Sequence, residues 1–173
     1  PEERMLGLLN VVLGANMSSR LFQEVRENRG LAYEIGSHLR RYQDAGALVI
    51  GAGVDTRKLR ESIGVILKEL NRLKEERVGQ EEFRRAKEYY TGQFLFALED
   101  TTDHMVWVGE SLISENRIVT PESVLKQVSR VRPEDLRRLA RRIFKNRALK
   151  LAAIGPQKKK EQREIRKVIA ALN

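Results

Sequence analysis

The spacing of apolar residues is helical in most of the chain but alternates through residues 33–54, and this change constrains the fold most strongly. Apolar and polar residues alternate through residues 33–40 and again through residues 48–54, with Asp44-Ala45-Gly46 between the two runs. A period of two is typical of strands that bury one face, and Asp and Gly favour a turn, so the sequence predicts a β-hairpin. The residues expected on the apolar face of the first strand are Tyr33, Ile35, Ser37 and Leu39.

Stripes of apolar residues with helical spacing flank this hairpin on both sides. The expected elements are, in chain order, a helix over residues 3–13, a short helix ending near Arg29-Gly30, the hairpin, helices around residues 59–73, 83–97 and 101–115, two helices opening at Pro121 and Pro133, a strand at Leu149–Ile154, and a tail helix reaching Leu172. Many helices and few strands predict an α+β domain in which helices pack on a small, largely antiparallel sheet. Three strands are few for so many helices, so we expect a further strand upstream of Pro1.

The length of 173 residues predicts a single domain, residues 1–173, large enough to bury a core. No apolar run approaches the ~20 residues that span a bilayer, and the first residues lack the pattern of a signal peptide. We therefore expect a soluble chain with no membrane contact. The chain begins at Pro1 without an initiator Met, which suggests a processed chain or an excised fragment.

The net charge of +9 raises the question of nucleic-acid binding. However, the 33 basic residues are mixed with 24 acidic ones along most of the chain, and the basic stretches lack interleaved aromatic residues. A solvated charged surface explains this pattern better, and a basic nucleic-acid-binding domain remains a remote alternative. Abundant Arg, Lys and Glu without Cys also fits a heat-adapted protein.

The residue types exclude several kinds of active site. There is no Cys, which rules out disulfides, thiol catalysis and Cys-ligated metals. His38 and His104 are the only histidines, and they lie on different predicted elements. Because a zinc peptidase needs two histidines one helical turn apart beside a carboxylate, the sequence predicts no metal site in this chain.

One pair of residues suggests a binding site at the corner between the second helix and the hairpin. Arg26 lies at the end of that short helix, and Tyr33 opens the strand after Arg29-Gly30. A guanidinium and a phenolic hydroxyl at one rim of the sheet can hold a peptide carbonyl or an oxyanion. Spacing alone leaves open the alternative of a surface ion-pair Arg26 and a half-buried strand Tyr33.

These same residues carry a resemblance to a known family. Leu13-Gly14, the run from Met17 to Phe22, Arg26, and the run from Arg29 to Tyr33 resemble the signature of the C-terminal domain of the pitrilysin, insulinase and mitochondrial processing peptidase family. Residues 42–46 and Gly155-Pro156 follow in the family's order, so the resemblance covers almost the whole chain. The first block is the specific one, and the later ones are individually weak.

The resemblance implies a zinc metalloendopeptidase that cuts unstructured peptides, built from two α+β halves that face each other. The zinc site lies in the N-terminal half, on an HxxEH helix, and no HxxEH occurs in this chain. The chain thus resembles the zinc-free half and would be inactive alone, with zinc expected in a partner N-terminal domain or subunit. By this resemblance Tyr33 is catalytic and donates to the scissile carbonyl, and Arg26 and Tyr33 bind the substrate. A non-catalytic partner subunit of the same fold remains the alternative.

Overall fold

The computed structural model describes residues 2–42, 44–156 and 159–170, the side chains of Glu115 and Lys159 excepted. Its elements are, in chain order, α1 (Glu2–Leu13), a π-helix (Phe22–Glu27), β1 (Ala32–Arg41), β2 (Gly46–Val54), a short 3-10 helix (Thr56–Lys58), α2 (Leu59–Glu75), α3 (Gln80–Ala97), α4 (Thr101–Glu115), α5 (Pro121–Arg130), α6 (Pro133–Ile143), a second 3-10 helix (Asn146–Ala148) and α7 (Lys159–Ala170). The expectations that involve Pro1 and Leu172 lie outside the described residues.

The two strands form an antiparallel hairpin that lies against the helices. Gly36 of β1 pairs with Gly51 of β2, and Leu39 pairs with Leu48. Ile35 and Ser37 are buried on the face towards the helices, as alternation predicts. This arrangement confirms the predicted α+β class with a small antiparallel sheet.

The first helix runs through the centre of the core. Leu8, Leu9 and Leu13 have no exposed side-chain surface, and α1 contacts α3, α5, α6 and β1. Burying a side chain of this size contributes about 1.5–3 kcal/mol, so the three leucines anchor the helix firmly. The predicted stripe over residues 3–13 is therefore a core face.

The end of α1 meets β1 so closely that only glycine fits there. The backbone carbonyl of Gly14 accepts a hydrogen bond of 2.9 Å from the N–H of Ser37. A Cβ at Gly14 would lie 2.6 Å from Ser37 Oγ and 2.7 Å from its backbone nitrogen. This hydrogen bond connects the middle of β1, on the edge that does not pair with β2, to the segment between α1 and the π-helix.

Helices α3, α5 and α6 pack beside α1, and two of the later helices begin at residues that cap their first turn. Asp100 accepts hydrogen bonds from the N–H groups of Thr102 and Asp103 at the start of α4, and Thr120 accepts one from Ser123 before Pro121 opens α5. Helix α2 contacts α6 and α7, while α3 contacts α5. Among the described residues, every helix is too short or too polar to span a bilayer.

The predicted strand at Leu149–Ile154 is wrong. Residues 149–154 are not a strand, although Leu149 has an extended backbone with φ −68° and ψ 128°. Leu151 is 48% exposed and Ile154 is fully exposed. Alternating apolar residues favour extended backbone, but a strand also needs a neighbour to complete its hydrogen bonds, and within the described ranges this segment has none.

Candidate functional site

The helix before the hairpin is a π-helix, where the sequence predicts an ordinary short helix. The N–H of Asn28 bonds to the carbonyl of Gln23, 2.8 Å away and five residues back. Leu21 and Val25 are both fully buried and fix the inner side of this segment. Such wide turns are rare and are often found at functional sites, because they carry a side chain to a position that an α-helix would not reach. Here that side chain is Arg26.

A tight bend at Gly30 connects the π-helix to β1. Gly30 has φ of +55°, the left-handed conformation that glycine adopts without strain. Its N–H donates to the carbonyl of Arg26 at 3.0 Å, and the N–H of Leu31 donates to Val25 at 2.8 Å. From the other side, Lys58 Nζ donates to the Gly30 carbonyl at 2.8 Å. The bend is therefore held from both sides.

Tyr33 lies in an irregularity of β1. Ala32 pairs with Val54 and Glu34 pairs with Gly53, so Tyr33 is an extra residue with no partner on β2. A bulge of this kind bends the strand and redirects a side chain. The expectation that Tyr33 shares the apolar face of Ile35 is wrong, because Tyr33 is 88% exposed.

The π-helix and the bulge bring Arg26 and Tyr33 together at the surface. The guanidinium carbon of Arg26 lies 6.0 Å from the centroid of the Tyr33 ring and 4.8 Å from that of Phe22. Contacts of a cation with ring faces contribute about 0.5–1 kcal/mol each when exposed, which favours one orientation of the guanidinium. Arg26 Nε also lies 3.7 Å from Glu27 Oε1, beyond hydrogen-bond distance, so this ion pair leaves the guanidinium N–H groups available to another acceptor.

An open groove of about 770 Å³ lies beside this pair. Its floor is the exposed face of the hairpin, where Gly36, Gly51 and Gly53 lie together, and Phe22 forms part of its wall. A smaller recess on the same sheet shares Gly53 and contains Tyr33 and Lys58. The glycines of this floor leave room for another backbone to approach the hairpin closely.

One carboxylate, Asp55, lines the recess around Tyr33. The pKa of Asp55 is lowered, chiefly by a hydrogen bond from the Arg57 side chain and then by one from the Arg57 backbone N–H. Asp55 is therefore an anion at neutral pH and is already engaged with Arg57. The donors that line this recess are the Tyr33 hydroxyl and the Lys58 ammonium, which donates to the Gly30 carbonyl, and the Arg26 guanidinium lies beside the Tyr33 ring.

The structure keeps the two histidines apart from this pair and from each other. His38 lies on β1 and lines the groove, whereas His104 lies on α4, 6.0 Å from the ring of Trp107. Among the residues that the structure describes, no three His, Asp or Glu side chains come together in a way that could hold a metal ion. A zinc ion therefore does not fit the described part of this chain.

Arg26 and Tyr33 remain the predicted site residues, and the structure adds two contacts around them that were not predicted from the sequence, those of Phe22 and Lys58. Phe22 stood out only as the last residue of the run from Met17 to Phe22 that carries the family resemblance, and Lys58 belonged to no motif. Phe22 and Arg26 are four residues apart, a spacing at which helical side chains commonly meet, so their contact was open to prediction. Lys58 was not, because its contact with Gly30 depends on how the hairpin returns to the π-helix.

Comparison with known proteins agrees with this fold. The family model described as the peptidase M16 inactive domain matches residues 1–90, which is more than half of the chain and contains the whole Arg26–Tyr33 corner. The chain belongs to this family, and it is a C-terminal, zinc-free domain of the pitrilysin, insulinase and processing peptidase type.

Individual relatives are longer proteins. An uncharacterized zinc protease of Streptomyces coelicolor is 33% identical over 95% of this chain and 36% of its own length, and one of Bacillus subtilis is 34% identical over 86% of this chain and 36% of its own. A crystal structure of a peptidase M16 inactive domain from Pseudomonas fluorescens has the same fold, with a TM-score of 0.74 at 20% identity over 82% of this chain and 34% of that one. The chain thus spans about a third of the length of the curated relatives that it matches.

Proposed function

We propose that this chain is the substrate-binding and transition-state-stabilising half of a zinc metalloendopeptidase that cleaves unstructured peptides. Residues 1–173 form one domain in this proposal, and the domain is inactive alone. Its partner is an N-terminal domain or subunit that carries HxxEH and holds the zinc ion. Two facts support the proposal: the relatives are named zinc proteases, and this chain corresponds to only a third of their length.

The observation that carries the proposal is the exposed contact between Arg26 and Tyr33. Each residue reaches this position through a local irregularity, a π-helix for Arg26 and a bulge for Tyr33. Such irregularities are costly to a regular element, and they are enriched beside active sites. A surface ion pair and a packed strand tyrosine would need neither of them.

The chemistry proposed for the pair follows from the donors that it presents. A peptide lying along the glycine floor offers its carbonyl oxygens to the rim of the groove. The Tyr33 hydroxyl donates to the scissile carbonyl oxygen as negative charge develops on it, and the Arg26 guanidinium donates to a neighbouring carbonyl. A donor that strengthens as charge develops lowers the barrier, whereas one that bonds the ground state equally well contributes only to affinity.

Replacing Tyr33 by phenylalanine tests this role in the full-length protein, by which we mean this chain together with its proposed HxxEH-bearing N-terminal half. Tyr33→Phe removes one hydroxyl and is expected to lower kcat by about 10²–10³-fold while KM changes little. Tyr42→Phe is the matched control, because Tyr42 is also exposed, at 68%, but lies beyond the other end of β1. Unchanged kinetics in Tyr33→Phe would remove Tyr33 from the reaction.

Two further experiments test whether this chain is inactive alone and whether the full-length protein is a peptidase. We expect the 173-residue chain with added zinc to leave a casein-derived peptide intact. Cleavage by the chain alone would contradict its inactivity. A full-length protein that cleaves no peptide would instead favour a non-catalytic subunit.

A further inference from the structure

Arg20 and Glu82 form a two-pronged ion pair between elements that are distant in sequence. Arg20 Nε donates to Glu82 Oε1 at 2.7 Å, and Nη2 donates to Oε2 at 2.8 Å. The Arg20 side chain is only 11% exposed. Parallel hydrogen bonds from a planar guanidinium to a carboxylate fix relative orientation as well as distance. This geometry is stricter than that of a single-contact surface pair.

The position of this ion pair connects it to the Arg26–Tyr33 corner. Arg20 opens the helical segment that continues as the π-helix, six residues before Arg26. Glu82 lies in the first turn of α3, where the positive end of the helix favours a carboxylate. The π-helix is therefore fixed at its start by Arg20 and at its end through the bend at Gly30.

We propose that Arg20 and Glu82 are positioning residues for Arg26 and Tyr33. The ion pair sets the rotation of the π-helix about its axis, and this rotation decides whether the Arg26 guanidinium lies against the Phe22 and Tyr33 rings. A displacement of about 1 Å at a substrate-binding group can cost about 10²-fold in rate. This inference rests on the proposed function for its effect on catalysis, but its structural part can be tested alone.

The structural part is tested by NMR of the Arg26 side chain in the 173-residue chain. The rings of Phe22 and Tyr33 should shift the Arg26 Nε–H proton signal upfield. Arg20→Lys keeps the charge but loses the bidentate geometry, so we expect the Arg26 signal to move towards its value in an unstructured peptide. Arg72→Lys is the matched control, since Arg72 pairs with the buried Glu69 on α2, and it should leave the signal unchanged.

Two results would overturn the structural part. One is an Arg26 signal that Arg20→Lys leaves in place, and the other is an equal change in Arg72→Lys. If Arg20→Lys fails to fold, Glu82→Gln replaces it, because a neutral amide keeps the size and one acceptor of the carboxylate. The same movement of the Arg26 signal is expected in that variant, and a signal that stays in place there overturns the proposal equally.

The functional part is tested by a double-mutant cycle in the full-length protein. We expect Arg20→Lys to lower kcat/KM about 10-fold in the unaltered background and to have little further effect when Arg26→Ala is present. Equal losses in both backgrounds would mean that Arg20 acts independently of Arg26. If Arg26→Ala alone leaves kcat/KM unchanged, the proposed function fails for Arg26, while the NMR result still decides whether Arg20 positions it.

Discussion

The guanidinium carbon of Arg26 lies 6.0 Å from the ring centroid of Tyr33 and 4.8 Å from that of Phe22, which lines a groove along the glycine-rich face of the β-hairpin. The two residues are seven positions apart, and the bend at Gly30 lies between them. The contact therefore depends on local backbone geometry as much as on the side chains themselves. This dependence makes the site sensitive to substitutions that remove no donor.

Gly30→Ala is expected to destabilise the chain by about 1 kcal/mol. An alanine at φ +55° is strained by about 1–2 kcal/mol, partly offset by the lower entropy of the unfolded chain. Apart from Gly30 and its two chain neighbours, no heavy atom in the described part of the chain lies within 4 Å of the added Cβ, so the effect is one of backbone conformation. Denaturant unfolding measures the change in the free energy of unfolding.

Gly64→Ala is the control for this measurement. Gly64 lies within α2 and also has open space around its Cβ, so alanine there should stabilise the chain by about 0.5–1 kcal/mol. The two substitutions are thus expected to have opposite signs. A stabilising effect of Gly30→Ala would contradict the left-handed bend.

Arg26→Ala in the full-length protein is expected to raise KM while kcat changes little. A hydrogen bond from a charged donor contributes about 1.5–3 kcal/mol, which corresponds to roughly 10–100-fold in KM when it acts on bound substrate and transition state alike. Arg29→Ala is the matched control, because Arg29 lies in the same turn but pairs with Glu24 at 3.3 Å. Steady-state kinetics distinguish the two variants, and equal effects would deny Arg26 a specific role.

The helices and the hairpin were predictable because each depends on a local period in the sequence. The stripe over residues 3–13 and the alternation through the hairpin gave α1, β1 and β2 nearly in place. The bulge at Tyr33 was not predictable, because Tyr33 is itself in phase with Ile35 and only Ala32 precedes it in the strand, so the shift in alternation that an extra residue causes cannot be seen in the sequence. The predicted strand at Leu149–Ile154 is wrong because apolar residues at strand-like spacing favour only an extended backbone. A strand also requires a second strand to hydrogen-bond with, and the local sequence does not show whether one is present.

The sequence predicts the residues of the candidate site but does not predict how the backbone brings them together. Arg26 and Tyr33 are distinguished by their sequence context, whereas the π-helix leaves no such mark: Leu21 and Val25 are four residues apart and would share a buried face in an ordinary α-helix as well. The ion pair of Arg20 and Glu82 joins positions 62 residues apart. No pattern within either segment indicates such a contact, since it depends on how α3 packs beside the π-helix.

The start of α4 should respond to acid through Asp100. The pKa of this carboxyl is lowered by hydrogen bonds from the backbone N–H groups of Asp103 and Thr102. A carboxyl with a lower pKa in the folded state stabilises that state above its unfolded pKa, and the stabilisation is lost as pH falls through the folded value. The amide signal of Thr102 should therefore titrate with a midpoint below the ordinary aspartate value of about 3.9.

Asp100→Asn provides the comparison, because asparagine caps a helix about as well as aspartate but does not titrate. In this variant the Thr102 amide signal should stay near its neutral-pH position over the pH range in which it moves in the unaltered chain. A titration that persists in Asp100→Asn would assign the effect to another carboxyl.

The most direct measurement of the central claim is the affinity of the full-length protein for a phosphinic peptide, whose tetrahedral centre mimics the charged intermediate of peptide hydrolysis. Tyr33→Phe is predicted to weaken binding of this peptide by about 10²–10³-fold, the same factor by which it lowers kcat/KM, while the affinity for the matching substrate peptide stays unchanged. Equal affinity of Tyr33→Phe and the unaltered protein for the phosphinic peptide would contradict the claim that Tyr33 donates to the developing oxyanion.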